Sequence, residues 1–187
     1  MLEQLTLWLQ AQGVLESYSS ILAQIILALM LVPVIYIISL ILNKIILRLV
    51  ENWTRQTTTA WDDFLLKNKF FKHISHLPPA MLVYFCAGFF PEVQVWVERL
   101  SAVYMIVILL LIINAFLDSS LDIYRTYEVS KSRPIKGYIQ IVKIIIAIFG
   151  AILIIATMIN ESPLVLLGGL SALTAVIMLV FKDTILG

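Results

Sequence analysis

Charged residues are scarce in this chain of 187 residues. Asp, Glu, Lys and Arg together make up only 13% of it, while 61% of the residues are hydrophobic. A soluble domain is roughly half apolar and a quarter charged. The mean hydropathy of +0.99 is too high for one globular core to absorb, so lipid must be the main solvent. We therefore predict an all-α membrane protein whose principal partner is the lipid bilayer. The net charge of +1 excludes nucleic acid as an expected partner.

Several kinds of chemistry lack the residues that they need. Cys86 is the only cysteine, so an intrachain disulfide framework is excluded. His73 and His76 could share a helical face, but no nearby Cys, Asp or Glu completes a metal shell. No predicted span has Asp or Glu in its middle third, which argues against a proton relay or an intramembrane hydrolase. We expect no enzymatic activity, no metal and no cofactor. The first nineteen residues carry no Lys or Arg, so a cleaved signal peptide is not expected.

Apolar runs predict five transmembrane helices. A bilayer core about 30 Å thick requires roughly 20 apolar residues in a helix. Four runs meet this length, and they cover 20–42, 101–117, 137–159 and 162–181. The fifth, 70–90, contains the pair Pro78–Pro79 and is predicted to be a span that is kinked at the prolines.

The distribution of cations predicts the orientation. Residues 43–72 contain six Lys and Arg residues and residues 118–136 contain four. The positive-inside rule places both segments in the cytoplasm, which requires 70–90 to cross. The N-terminus is then outside and the C-terminus inside. Lys143 is the only full charge well inside a predicted span, and its long stem is expected to snorkel to the cytoplasmic headgroups.

Residues 1–19 are predicted to be a short amphipathic segment. Leu2, Leu5, Trp8 and Leu9 share one helical face, which is typical of a helix that lies at the membrane interface. A frayed terminus exposed to water is the alternative.

The last helix carries a stripe of small residues. At 100° per residue, one narrow face contains small side chains, then one large apolar side chain and then a cation, namely Gly168, Ser171, Ala172, Ala175, Leu179 and Lys182. Small residues permit close approach of helix backbones. Periodicity alone leaves two interpretations open, which are packing within one helix bundle and lining of a pore.

Residues 162–187 resemble the pore helix of the MscS family of mechanosensitive channels. The run LVFKDTILG is similar to the VFKDPILG form in the YbdG-type branch, except that Thr184 replaces the proline. The run RQTTTAWDDFLLK at 55–67 resembles the linker of the extended branch of this family. The five-span layout, with the N-terminus outside, also matches the YbdG-type branch.

The resemblance implies a homo-heptamer with a central pore for ions and small solutes, opened by membrane tension during hypo-osmotic shock. Residues 20–160 would form a four-helix paddle that senses tension, and residues 161–187 the pore-lining helix. Family members continue into a cytoplasmic domain, so a chain that ends at Gly187 is expected to be part of a longer protein.

The resemblance also assigns roles to positions of the last helix. Leu179, with Ala175, would form the constriction. Lys182 and Asp183 would lie at the cytoplasmic mouth. The small residues would let neighbouring helices slide, and these are Gly168, Gly169, Ser171 and Ala172.

Two other classes remain open. A transporter subunit would need a substrate site near the midplane, usually with broken helices and internal repeats. The two halves of this sequence show no repeat, and 70–90 is the only broken span. A non-conducting membrane scaffold would need no pore.

Overall fold

The computed structural model describes residues 2–56 and 60–187, and within these ranges it consists of helices joined by short turns, without strands. The described helices, in chain order, are α1 (Leu2–Ala11), α2 (Glu16–Gln56), α3 (Ala60–Lys67), α4 (Phe70–Ile74), α5 (Leu77–Cys86), α6 (Gln94–Thr126), α7 (Val129–Ser132), α8 (Lys136–Ile159) and α9 (Pro163–Leu186). A 3₁₀ turn, Ala87–Phe89, follows α5. The all-α fold class is confirmed for the described residues.

Four of the described helices are long and apolar enough to cross a membrane. These candidate spans are Ile21–Ile46, Gln94–Thr126, Lys136–Ile159 and Pro163–Lys182. Each contains one of the four long apolar runs or nearly all of it. Most of their side chains are not buried against the rest of the chain, which fits helices solvated by lipid. The described part of the chain is therefore compatible with a multi-pass membrane protein.

The α2 helix extends well beyond its apolar part. It has 41 residues and contains Pro33, and at about 1.5 Å per residue it is about 60 Å long. Its N-terminal turns pack against α1. Gln10 donates a hydrogen bond from Nε2 to Oγ of Ser19 (3.3 Å), and the left-handed Gly13 (φ 88°) forms the turn between the two helices.

Two residues predicted to share one face of α1 differ in exposure in the structure. Leu9 is only 8% exposed, whereas its neighbour Trp8 is 59% exposed. Because α1 packs against α2, Leu9 belongs to the buried contact and Trp8 points away from it. Leu9 and Trp8 therefore do not act as one lipid-facing surface.

The segment 70–90 is interrupted rather than merely kinked. α4 ends at Ile74 and α5 begins at Leu77, with the two prolines in the first turn of α5. Proline lacks an N–H group and fits a first turn, where that group has no partner in the helix. The Ser75 hydroxyl satisfies one carbonyl at the break by donating to Lys72 O (2.8 Å). The break thus lies before the prolines, and the segment is two short helices followed by a 3₁₀ turn.

This broken segment runs antiparallel along α6. Near one end, Asn68 Nδ2 donates to Ser119 Oγ (3.1 Å), and the rings of Phe70 and Phe116 are 6.2 Å apart. Further along the chain, Ala80 and Ser101 line the same small cavity. Between positions 116 and 101 the partner helix rises by about 22 Å at 1.5 Å per residue. The segment therefore follows α6 over most of a bilayer core.

α6 and α8 form a close antiparallel pair. Three contacts lie at successive levels: Lys143 Nζ to Asp118 Oδ1 (2.6 Å), Gly150 against Leu110, and Arg99 Nη1 to Met158 O (3.0 Å). A Cβ atom at Gly150 would lie 2.5 Å from Cδ1 of Leu110. With Leu110 in its observed rotamer, only glycine fits at position 150, as expected for close packing of helices in a membrane.

Candidate pore helix

α9 begins at a sharply defined joint. Asn160 adopts the left-handed conformation (φ 60°) at the end of α8, a common way for a helix to terminate. The Ser162 hydroxyl then accepts a hydrogen bond from the N–H of Leu164 (3.2 Å), which caps the new helix. Pro163 occupies the first helical position, where its fixed φ is favourable. The sequence 160–163 therefore sets both the end of α8 and the start of α9.

α9 is exposed on all sides within the described chain. Every residue from Gly168 to Lys182 is exposed, and Leu179 on the small-residue stripe is 71% exposed. The opposite face is also uncovered, with Leu170 at 54% and Ile177 at 49%. The large apolar side chains of α9 favour a non-aqueous environment, which lipid or other protein can supply.

No helix in the described chain uses the small-residue stripe. Among the described residues, nothing approaches within 4 Å of the position that a Cβ atom would take at Gly168 or Gly169. Ala172 and Ala175 are exposed as well. The alternative of tight packing within one bundle would require another helix of this chain on the stripe, and none of the described helices lies against Gly168 or Gly169.

Polar groups on α9 are satisfied inside the helix. The Ser171 hydroxyl donates to Leu167 O (2.8 Å), and the Thr174 hydroxyl donates to Leu170 O (2.8 Å). Neither hydroxyl therefore demands a partner from another helix. Lys182 is exposed at the far end of the stripe, and the side chain of Asp183 lies outside the described residues.

A polar cluster on α6 was not expected from the sequence. In the structure, Lys143 forms an ion pair with Asp118. The charge of Lys143 is therefore neutralised by a side chain of the neighbouring helix α6, and its placement does not depend only on reaching the lipid headgroups. One turn further, Asp122 pairs with Lys67 Nζ (3.3 Å) and with Arg125 Nη1 (3.4 Å). These partners lie on different helices, except Arg125, which is three residues from Asp122. Only that i, i+3 spacing could have been identified from the sequence.

The two histidines lie at the break before α5. The Nδ1 atom of His76 is 2.7 Å from Lys72 O, so the ring is used in local hydrogen bonding. In the part of the chain that the structure describes, His, Cys, Asp and Glu do not cluster in groups of three that could hold a metal ion.

No protein-family model matches this chain, and no solved structure matches it.

Proposed function

We propose that this protein is a mechanosensitive ion channel of the MscS family, in its YbdG-type branch, and that α9 lines the pore of a homo-heptamer. The observation that carries the proposal is the uncovered small-residue stripe of α9. A helix whose small-residue face has no partner among the described residues is suited to turn that face toward the axis of an assembly of copies of itself. The resemblance of residues 162–187 to a pore helix supports the same reading.

We propose five membrane crossings, with α4, α5 and the 3₁₀ turn acting together as the second. The antiparallel course of this segment along α6 supports it, because two antiparallel neighbours that span the same levels connect opposite sides. Backbone groups freed by a broken helix are tolerated in a membrane where protein surrounds them, and here α2 and α6 flank the break. The N-terminus is then outside and the C-terminus inside the bacterial inner membrane.

Gating is a population shift in this proposal. Tension favours the conformation that occupies more membrane area. Residues 20–160 form the paddle, and its close α6–α8 pair transmits tilting to the joint at Asn160. In the closed state, rings of Leu179 and Ala175 form a hydrophobic constriction that excludes water. Lys182 and Asp183 lie at the cytoplasmic mouth and carry opposite charges, so no ion selectivity is assigned.

The direct test is patch recording of the protein in reconstituted membranes under suction. Tension-dependent unitary currents are expected. Currents that need a substrate gradient would indicate the transporter alternative. If a correctly inserted oligomer carries no current at any tension, the result would indicate the non-conducting membrane scaffold.

Topology gives a second test, in which Glu92→Cys and Ser132→Cys are compared after Cys86→Ala removes the native thiol. Both positions are exposed. With five crossings, an impermeant maleimide added to intact cells is expected to label Glu92→Cys, and Ser132→Cys only after permeabilisation. If 70–90 did not cross, the labelling pattern would be reversed.

Substitutions of two adjacent glycines in α9 are expected to have different effects, one on conduction and the other on assembly. Gly168 lies on the stripe with Leu179, whereas Gly169 is rotated by 100° toward a neighbouring subunit. Gly168→Leu is expected to reduce unitary current, because its side chain enters the pore. Gly169→Leu is expected to reduce the yield of detergent-stable oligomer, because close backbone approach needs small residues. Equal losses of yield with unchanged current would contradict the pore assignment.

A further inference from the structure

An apolar cavity of about 350 Å³ lies between α2 and the end of α5. Its walls are almost entirely hydrocarbon. They include Ala28, Leu31 and Ile35 from α2, with Val83, Cys86 and Phe90 opposite them. Neither α8 nor α9 contributes to the lining, so this cavity is separate from the candidate pore helix.

The cavity results from the interruption of the second crossing. α5 ends at Cys86 and the chain narrows into the 3₁₀ turn Ala87–Phe89. α2 passes beside this turn, and Val93 and Val97 at the start of α6 also line the cavity, so no full helix fills the space at this level. Small side chains at Ala28 and Ala87 leave the walls far apart. The gap is thus a consequence of where α5 stops.

The surroundings identify what can fill this gap. Ala28 to Ile35 lie within the apolar span Ile21–Ile46, and Val32 both lines the cavity and is 64% exposed. The cavity is therefore continuous with the lipid-facing surface of α2. Apolar cavities exclude water and accept hydrocarbon, and this volume equals about a dozen water-sized groups of about 30 Å³ each. An empty void would forfeit dispersion contacts along its whole lining.

We propose that this cavity binds one acyl chain of a phospholipid from the leaflet that α2 enters first. The proposal rests on the membrane insertion included in the proposed function, but not on conduction. The acyl chain lies between α2 and the broken crossing, and it completes their packing where the protein itself does not.

The experiment uses quenching of tryptophan fluorescence by phosphatidylcholine with brominated acyl chains. The four native tryptophans are replaced by Phe, and Phe90→Trp places one reporter at the cavity wall. Phe85→Trp is the matched control, because Phe85 is on the same segment and 71% exposed. Quenching of the two reporters in vesicles is expected to be similar. Ala28→Leu fills part of the cavity and is expected to reduce quenching of the Phe90→Trp reporter by about twofold, without changing that of Phe85→Trp.

Three outcomes would overturn the proposal. Weak quenching of the Phe90→Trp reporter, with blue-shifted emission, would mean that protein, such as a second copy of this chain, fills the cavity. Quenching by aqueous iodide would mean that water fills it. Strong lipid quenching that neither Ala28→Leu nor the milder Ala28→Val reduces would place the acyl chain outside the cavity. None of these readouts depends on current, so a non-conducting protein can still confirm the acyl-chain site.

Discussion

If the protein is the proposed channel, Leu179→Ser is expected to open it at a much lower membrane tension than the unsubstituted protein requires. Leu179 is the one large apolar side chain that follows the small residues on the stripe of α9. In the proposed closed state its ring excludes water from the constriction. Serine removes most of this apolar surface and adds a hydroxyl that water can solvate. Full burial of a leucine side chain contributes about 2 kcal/mol, and the change is repeated in every subunit. A shift of the closed–open equilibrium of at least about tenfold follows, since 1.4 kcal/mol already corresponds to that factor.

Ile177→Ser is the matched control for this substitution. Ile177 lies two residues away at nearly the same depth, on the opposite face of α9, and is also exposed within the chain. It is expected to leave the opening tension close to that of the unsubstituted protein. Patch recordings with graded suction measure both thresholds. A shared shift would indicate a general weakening of the helix, and an unchanged Leu179→Ser threshold would assign the gate to another ring.

Gly150→Leu is expected to disrupt the α6–α8 pair and to lower the yield and thermal stability of the protein. A Cβ atom at this position already lies 2.5 Å from Cδ1 of Leu110 and 2.6 Å from Cδ2. The helices would have to separate or the leucine side chain would have to leave its rotamer. Overpacking of this kind costs about 1–3 kcal/mol or more. Separation would also strain the ion pair between Lys143 and Asp118.

A compensating substitution tests this contact directly. Leu110→Ala in the Gly150→Leu background restores the total volume and is expected to recover most of the stability. Gly137→Leu is the control on the same helix, because nothing described lies within 4 Å of a Cβ atom there. It is expected to be tolerated. Thermal unfolding in detergent, followed by size-exclusion chromatography, provides the double-mutant cycle. If Leu110→Ala gives no rescue, the clash at Gly150 is not the cause of the destabilisation.

The sequence was sufficient to predict elements that depend on local pattern. Hydropathy located the four long helices, because membrane-spanning helices need long apolar runs. The stripe on α9 followed from helical periodicity, and its register needs no tertiary information. Its role as a pore surface remains a prediction.

Contacts between distant residues could not be predicted in this way. Lys143 and Asp118 are 25 residues apart, and their pairing depends on how α6 and α8 align. Sequence placed a kink at the prolines, whereas the break lies before them, because proline is better accommodated at the start of a new helix than inside one. The division between Leu9 and Trp8 likewise depends on which face α2 covers.

The α2 helix is long enough for a small bend within the bilayer to move its far end. A bilayer core is about 30 Å thick, so a helix of about 60 Å extends far beyond one surface of the membrane. Pro33 lies inside the apolar part and removes one backbone hydrogen bond, so the helix has a compliant point within the bilayer. A small change of angle at Pro33 becomes a displacement of several ångströms at Gln56. In the proposed channel, thinning of the membrane would be converted in this way into lateral movement at the distant end of a single helix.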